Sequence, residues 1–179
     1  MARKQTHIIS SHQLELPFGL PDLVKNIQAI DLCAGVFQNH SWNYNLEKNP
    51  DKITSMFTLP HAGHTLTGIF PDEKDASIMV FACSPETIPE YLKPKVASMV
   101  SDFTVLPGVN AKIFADGFVR LITQLWLPKT RTLPEVDHIL APTLDCVLHQ
   151  ADVIFPKITK LLTIHSRHLP SNDDLGLSF

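Results

Sequence analysis

The chain has 179 residues, of which 44% are hydrophobic and 18% charged, with a formal net charge of −3. That length fits one domain with a sizeable core, and the composition is too apolar for a disordered chain. Lys and Arg are scattered, with one local cluster at Arg3-Lys4, so there is no overall basic field to attract nucleic acid or anionic lipid.

Residues 1–20 show no helical period and carry Pro17 and Gly19, which reads as an extended arm. Residues 21–165 read as one α+β domain, and residues 166–179 as a short polar tail. Pro21 opens a first helix, where its missing N–H costs nothing. Leu23, Ile27, Ile30, Ala34 and Phe37 follow at spacings of three and four and form one apolar stripe. The stripe predicts an end near Asn39, with His40 and Ser41 leading out.

Strand signals come next. Trp42, Tyr44 and Leu46 alternate with polar residues, and Asn49-Pro50-Asp51-Lys52 has turn chemistry. Ile53 to Leu59, Thr65 to Phe70 and Ser77 to Cys83 are further strand-like runs, separated by turns at residues 60–64 and 71–75. The stretch 42–83 therefore predicts an antiparallel meander. From Glu90 to Phe103 the period is helical again, with Leu92, Val96, Met99, Val100 and Phe103 on one face, and Leu106-Pro107-Gly108 stops that helix. Asp116-Gly117, between β-rich runs at 111–115 and 118–127, predicts a hairpin with a two-residue turn. A last helix is predicted over Pro134 to Leu162. Pro142 and Pro156 lie inside it and predict a kink or a break.

Cys33, Cys83 and Cys146 are odd in number, widely spaced and set among apolar neighbours, which argues for buried free thiols in a reducing, cytoplasmic setting. The first residues lack the apolar core of a signal peptide, and no run of 18 apolar residues exists to span a membrane.

The second half resembles the YbjN family, which shares the type III secretion chaperone-like fold. The resemblance rests on Leu106-Pro107-Gly108, Asp116-Gly117, Leu127-Pro128, Ala151-Asp152 and Pro156, and it spans about residues 22–162. It implies an α+β fold in which an antiparallel sheet of about five strands is packed by helices in the order α-β-β-β-α-β-β-α. It also implies a domain that is often dimeric, has no established catalytic centre, and binds other proteins as a chaperone or regulator.

The candidate chemistry is sparse. His61 and His64, and again His165 and His168, are spaced H-x-x-H, but a catalytic zinc needs three converging ligands and no H-E-x-x-H occurs. Cys146 and His149 lie three apart on the last helix, and Cys83 and Ser84 follow a strand without a nucleophile elbow. Asp72, Glu73 and Asp75 share a turn with Lys74 and read as a solvated loop, since acid–base work needs a buried pair with split pKa values. No Gly-rich phosphate loop is present. No catalytic residue, metal or cofactor is therefore expected.

Two binding surfaces stand out. Phe118, Leu125 and Trp126 put more apolar surface on one strand than a single sheet edge buries, which predicts cover by the last helix or by a second subunit. In the arm, Gln13, Leu14, Leu16 and Phe18 are similar to the peptide that docks on the bacterial DNA sliding clamp: an extended segment could seat the three apolar side chains in pockets. A looser copy runs from Asp174 to Phe179. The sequence thus predicts a non-enzymatic protein-binding module, homodimeric, with a protein client or regulator. The alternatives are an accessory protein tethered to the sliding clamp and a small enzyme or metal-binding protein with a cryptic His/Cys site.

Overall fold

Apolar periodicity sorts the chain into one sheet and the helices that cover it. The computed structural model describes residues 28–102, 108–128 and 131–166. Helix α1 (Ala29–Asn39) leads into strands β1 (Asn45–Glu47), β2 (Lys52–Leu59), β3 (Gly63–Asp72) and β4 (Ser77–Thr87). A 3₁₀ turn (Glu90–Leu92) and helix α2 (Lys93–Asp102) follow, then β5 (Asn110–Ile113), β6 (Phe118–Trp126) and α3 (Leu133–Ser166). The six strands pair antiparallel in the order β1-β2-β3-β4-β6-β5. The meander therefore holds four strands before α2, matching the four strand-like runs in the sequence, where the order implied by the resemblance had three.

Ile30, Cys33, Ala34, Val36 and Phe37 bury one side of α1 against the sheet and α3. The expected end of this helix at Asn39 is observed, whereas its expected start at Pro21 lies outside the described residues. Gly35 marks where α1 and α3 meet, since a Cβ there would stand 2.9 Å from the Leu133 side chain. Trp42, expected on a strand, sits in the loop before β1 and packs edge-on against Phe37 (5.4 Å) and Phe57 (5.7 Å). Leu92, Val96 and Val100 bury the predicted face of the second helix, which packs beside β5. Phe103, Leu106 and Pro107 lie outside the described residues.

Helix α3 runs through Pro142 and Pro156 as one helix, so of the expected kink or break the break does not occur. Each proline costs about 3 kcal/mol in a helix interior. Against this stands a buried row from Val136 through Leu140, Leu144, Val147, Ile154 and Phe155 to Ile158, each member worth about 1.5–3 kcal/mol. Packing outweighs propensity. Pro142 also lies on the exposed side, where the carbonyl it leaves free can meet water. Glu135 reaches back to Thr132 at the start, one half of a capping box: its carboxylate accepts from the Thr132 backbone N–H (3.1 Å) and hydroxyl (2.6 Å).

The hairpin also departs from expectation. Of Asp116 and Gly117, only Gly117 has a positive φ (83°). Gly117 N–H donates to the Phe114 carbonyl (2.9 Å), and Phe114 N–H donates to the Phe118 carbonyl (2.9 Å). The loop is thus three residues with Gly117 in the left-handed position, the G1-bulge arrangement, and not a two-residue turn. Strand β4 continues past Cys83 to Thr87 across a register shift that accommodates Pro85. The Ser84 hydroxyl closes this bulge, donating to the Glu86 carbonyl (2.9 Å) and accepting from Val119 N–H (3.0 Å).

Candidate functional site

The period of two along each strand sends alternate side chains to opposite faces. Ile53, Ile69, Ile78, Val80, Val119 and Leu121 are fully buried under α1 and α3. The opposite, outer face carries Met56, Leu66, Phe70, Met79, Phe81, Phe118, Ile122 and Trp126, and no described helix covers it. Trp126 is 69% exposed and Met56 57%, with Leu66 and Met79 each at 39%. A sheet face in water is ordinarily polar, and large apolar patches mark contact surfaces.

The face has relief. Phe81 lies flat across Gly68, its register partner, where a Cβ would stand 2.2 Å from the ring. Phe70 stacks beside it at 5.6 Å between centroids. This opens a hollow of about 290 Å³ bounded by Phe70, Met79, Phe81, Phe114 and Ile122. A second hollow of about 470 Å³ includes Met56, His64, Leu66, Cys83 and Phe118. Arg120 lines both. Its guanidinium lies 4.4 Å over the Phe114 ring and 5.8 Å from the Phe81 ring, and it is ion-paired with Asp116. Burial opposes ionisation of Asp116, but the Phe118 backbone N–H and Arg120 outweigh it and hold its carboxyl below the usual range. The site is therefore an apolar plate in which the Arg120 cation is fixed and partly neutralised by Asp116.

Of the residues singled out from the sequence, Phe118 and Trp126 stand on this face, with Phe118 half-buried. Leu125, one position out of phase, points to the opposite side and packs against the core beneath the helices. The residues missed were Met56, Leu66, Phe70, Met79, Phe81 and Ile122. Each sits at an outward strand position, so the period of two within each strand was the available signal. Gln13, Leu14, Leu16 and Phe18 lie outside the described residues, as do His168 and the segment from Asp174 to Phe179.

The remaining candidates hold the fold together. His61 Nδ1 pairs with Asp152 Oδ2 (2.7 Å), and His64 with the Thr58 hydroxyl (3.1 Å). His165 meets Lys95 (3.2 Å) and the Leu161 carbonyl (2.8 Å). Among the described residues, no three His, Cys, Asp or Glu side chains converge to hold a metal. Glu73, read from the sequence as solvated, accepts from the Ala29 backbone N–H at the start of α1 and pairs with Arg131. All three cysteines are free. Burial pushes the Cys33 thiol up to about 12, with Glu73 adding to it. Burial also raises that of Cys83, while Arg120 pulls the other way. Such thiols are poor nucleophiles. Among the described residues no helix is long and apolar enough to cross a membrane.

Comparison with solved structures identifies the fold. A chain of the ExsC–ExsE complex superposes with a TM-score of 0.50 at 14% identity, covering 70% of this chain and 90% of that one. YbjN from E. coli superposes with a TM-score of 0.50 at 7% identity, covering 75% of this chain and 94% of that one. The chain therefore has the α+β fold of YbjN and the type III secretion chaperones, as the sequence resemblance implied. No protein-family model matches the sequence, and no curated protein does.

Proposed function

From the fold shared with YbjN and the ExsC–ExsE complex, we propose that this chain is a non-enzymatic protein-binding module, chaperone-like or regulatory, that works through the outer face of its sheet. The observation that carries the reading is the exposure of Met56, Leu66, Met79 and Trp126 on a face that no described helix covers. Methionine and aromatic side chains suit a contact surface, because methionine is flexible and repacks against varied partners while Trp is a rigid anchor. One of the solved relatives was captured as a complex of two different proteins, which supports protein binding as a use of this fold.

A second copy of the chain is one partner. A standard interface buries about 800 Å² per partner. From Phe118 to Trp126 the face is about 27 Å long at ~3.4 Å per residue, and its four central strands are ~4.8 Å apart, a footprint of roughly 500 Å² that supplies the larger part of such an interface. Affinity capture from the native cell tests the reading. The native chain retains a specific protein, and the Met56→Lys/Trp126→Lys variant, folded by circular dichroism, loses it. Equal retention by both would remove the outer face from the account. The arm residues Gln13, Leu14, Leu16 and Phe18 provide the alternative tether, to the sliding clamp. A pull-down that survives Leu16→Ala and Phe18→Ala would eliminate it.

A further inference from the structure

The described fold begins at one end of the sheet, on its helix-covered side. Ala29 is held by Glu73 in the β3–β4 turn, and that turn adjoins Ser77, the register partner of Trp126. At least 27 residues precede this point. Among them, Leu14, Leu16 and Phe18 alternate with Gln13, Glu15 and Pro17. An extended segment with that alternation presents three apolar side chains on one side at ~6.8 Å intervals, the repeat of outward side chains along β6. Pro17 can donate no backbone hydrogen bond, which suits a segment lying over a sheet face better than one added to its edge.

We propose that residues 13–18 lie across the outer face and seat Leu14, Leu16 and Phe18 in the two hollows beside Arg120, so that the chain is the first occupant of its own binding surface. Reach permits it: the ten residue steps from Phe18 to Gln28 span up to ~33 Å, against about 27 Å for the face. The chemistry matches, since the hollows are walled by Phe70, Met79, Phe81, Met56, Leu66 and Phe118. A partner must then displace the arm. The arm thereby lowers affinity for every client and shields the plate from indiscriminate contact. The proposal rests on the reading of the outer face as the binding surface.

Methyl NMR of methionine tests it, because the chain has four methionines. Met56 and Met79 lie on the outer face, and Met99 is packed elsewhere as an internal control. At a dilution where light scattering reports a monomer, Leu14→Ala/Leu16→Ala/Phe18→Ala should move the Met56 and Met79 methyl signals and leave Met99 unmoved. Adding a peptide of residues 10–20 in excess should restore them. Unmoved Met56 and Met79 signals would overturn the proposal while leaving partner binding by the bare face intact. Shifts that grow with protein concentration would overturn it in favour of a second copy as the occupant.

Discussion

Asp152 on α3 grips the turn around His61: its carboxylate accepts the His61 backbone N–H (2.7 Å) and the Ala62 backbone N–H (2.8 Å), and pairs with the His61 ring (2.7 Å). The β2–β3 turn is thereby fastened to the longest helix, 91 positions away in sequence. Burial pushes the carboxyl up, but those hydrogen bonds outweigh it and hold its pKa below the ordinary value. A depressed folded-state pKa contributes stability that is present above the unfolded-state value and lost as pH falls through the folded-state value. Asp152→Ala should therefore lower Tm at neutral pH. The gap from the native chain should close on acidification below about pH 4, the ordinary range of an aspartate. Thermal melts from pH 7 to pH 2.5 measure it. A gap that is constant across that range would contradict the ion-linked role.

Thr65 is fully buried on β3, and its hydroxyl has no hydrogen-bond partner. An unpaired buried hydroxyl costs about 1–3 kcal/mol, and valine keeps the shape without the polar atom. Thr65→Val should stabilise the fold by about 1 kcal/mol, seen as a higher urea midpoint with an unchanged slope.

Ser84 predicts the opposite sign. Its hydroxyl satisfies Val119 N–H where the bulge around Pro85 interrupts the β4–β6 ladder. Ser84→Ala leaves that buried donor unpaired and should cost about 1–3 kcal/mol by the same urea measurement.

The thiols should react in order of access. Cys146 is partly exposed, Cys83 is buried beside Arg120, and Cys33 is buried with its thiol pushed up to about 12. In the native chain at pH 8, a disulfide reagent should label Cys146 fastest and Cys33 only on unfolding. Mass-mapped labelling that found Cys33 first would show that the contact between α1 and the sheet opens readily.

The regular elements were legible because they depend on local periodicity. Ile30, Ala34 and Phe37 announce α1, and Leu92, Val96 and Val100 announce the face of α2. What sequence reading missed depends on distant partners. Pro142 and Pro156 argue locally for a break, yet the row from Val136 to Ile158 has a whole sheet to bury against. Glu73 looks solvated because Ala29 and Arg131, its partners, are 44 and 58 positions away. Gly117 announced its turn, but the loop length was fixed by pairing of Phe114 with Phe118. Trp126 and Phe118 stand on the outer face, and Leu125 was grouped with them by adjacency. The strand's alternation separates it from both. The flat lie of Phe81 over Gly68, which shapes one hollow, depends on register between β3 and β4 and leaves no mark in either segment alone.

The outer plate as a binding surface is tested most directly by sedimentation equilibrium at tens of micromolar. The native chain should form a reversible dimer, Leu14→Ala/Leu16→Ala/Phe18→Ala a tighter one, and Met56→Glu/Trp126→Glu should be a monomer. A strict monomer in the first two, or a dimer unaffected by Met56→Glu/Trp126→Glu, would contradict it.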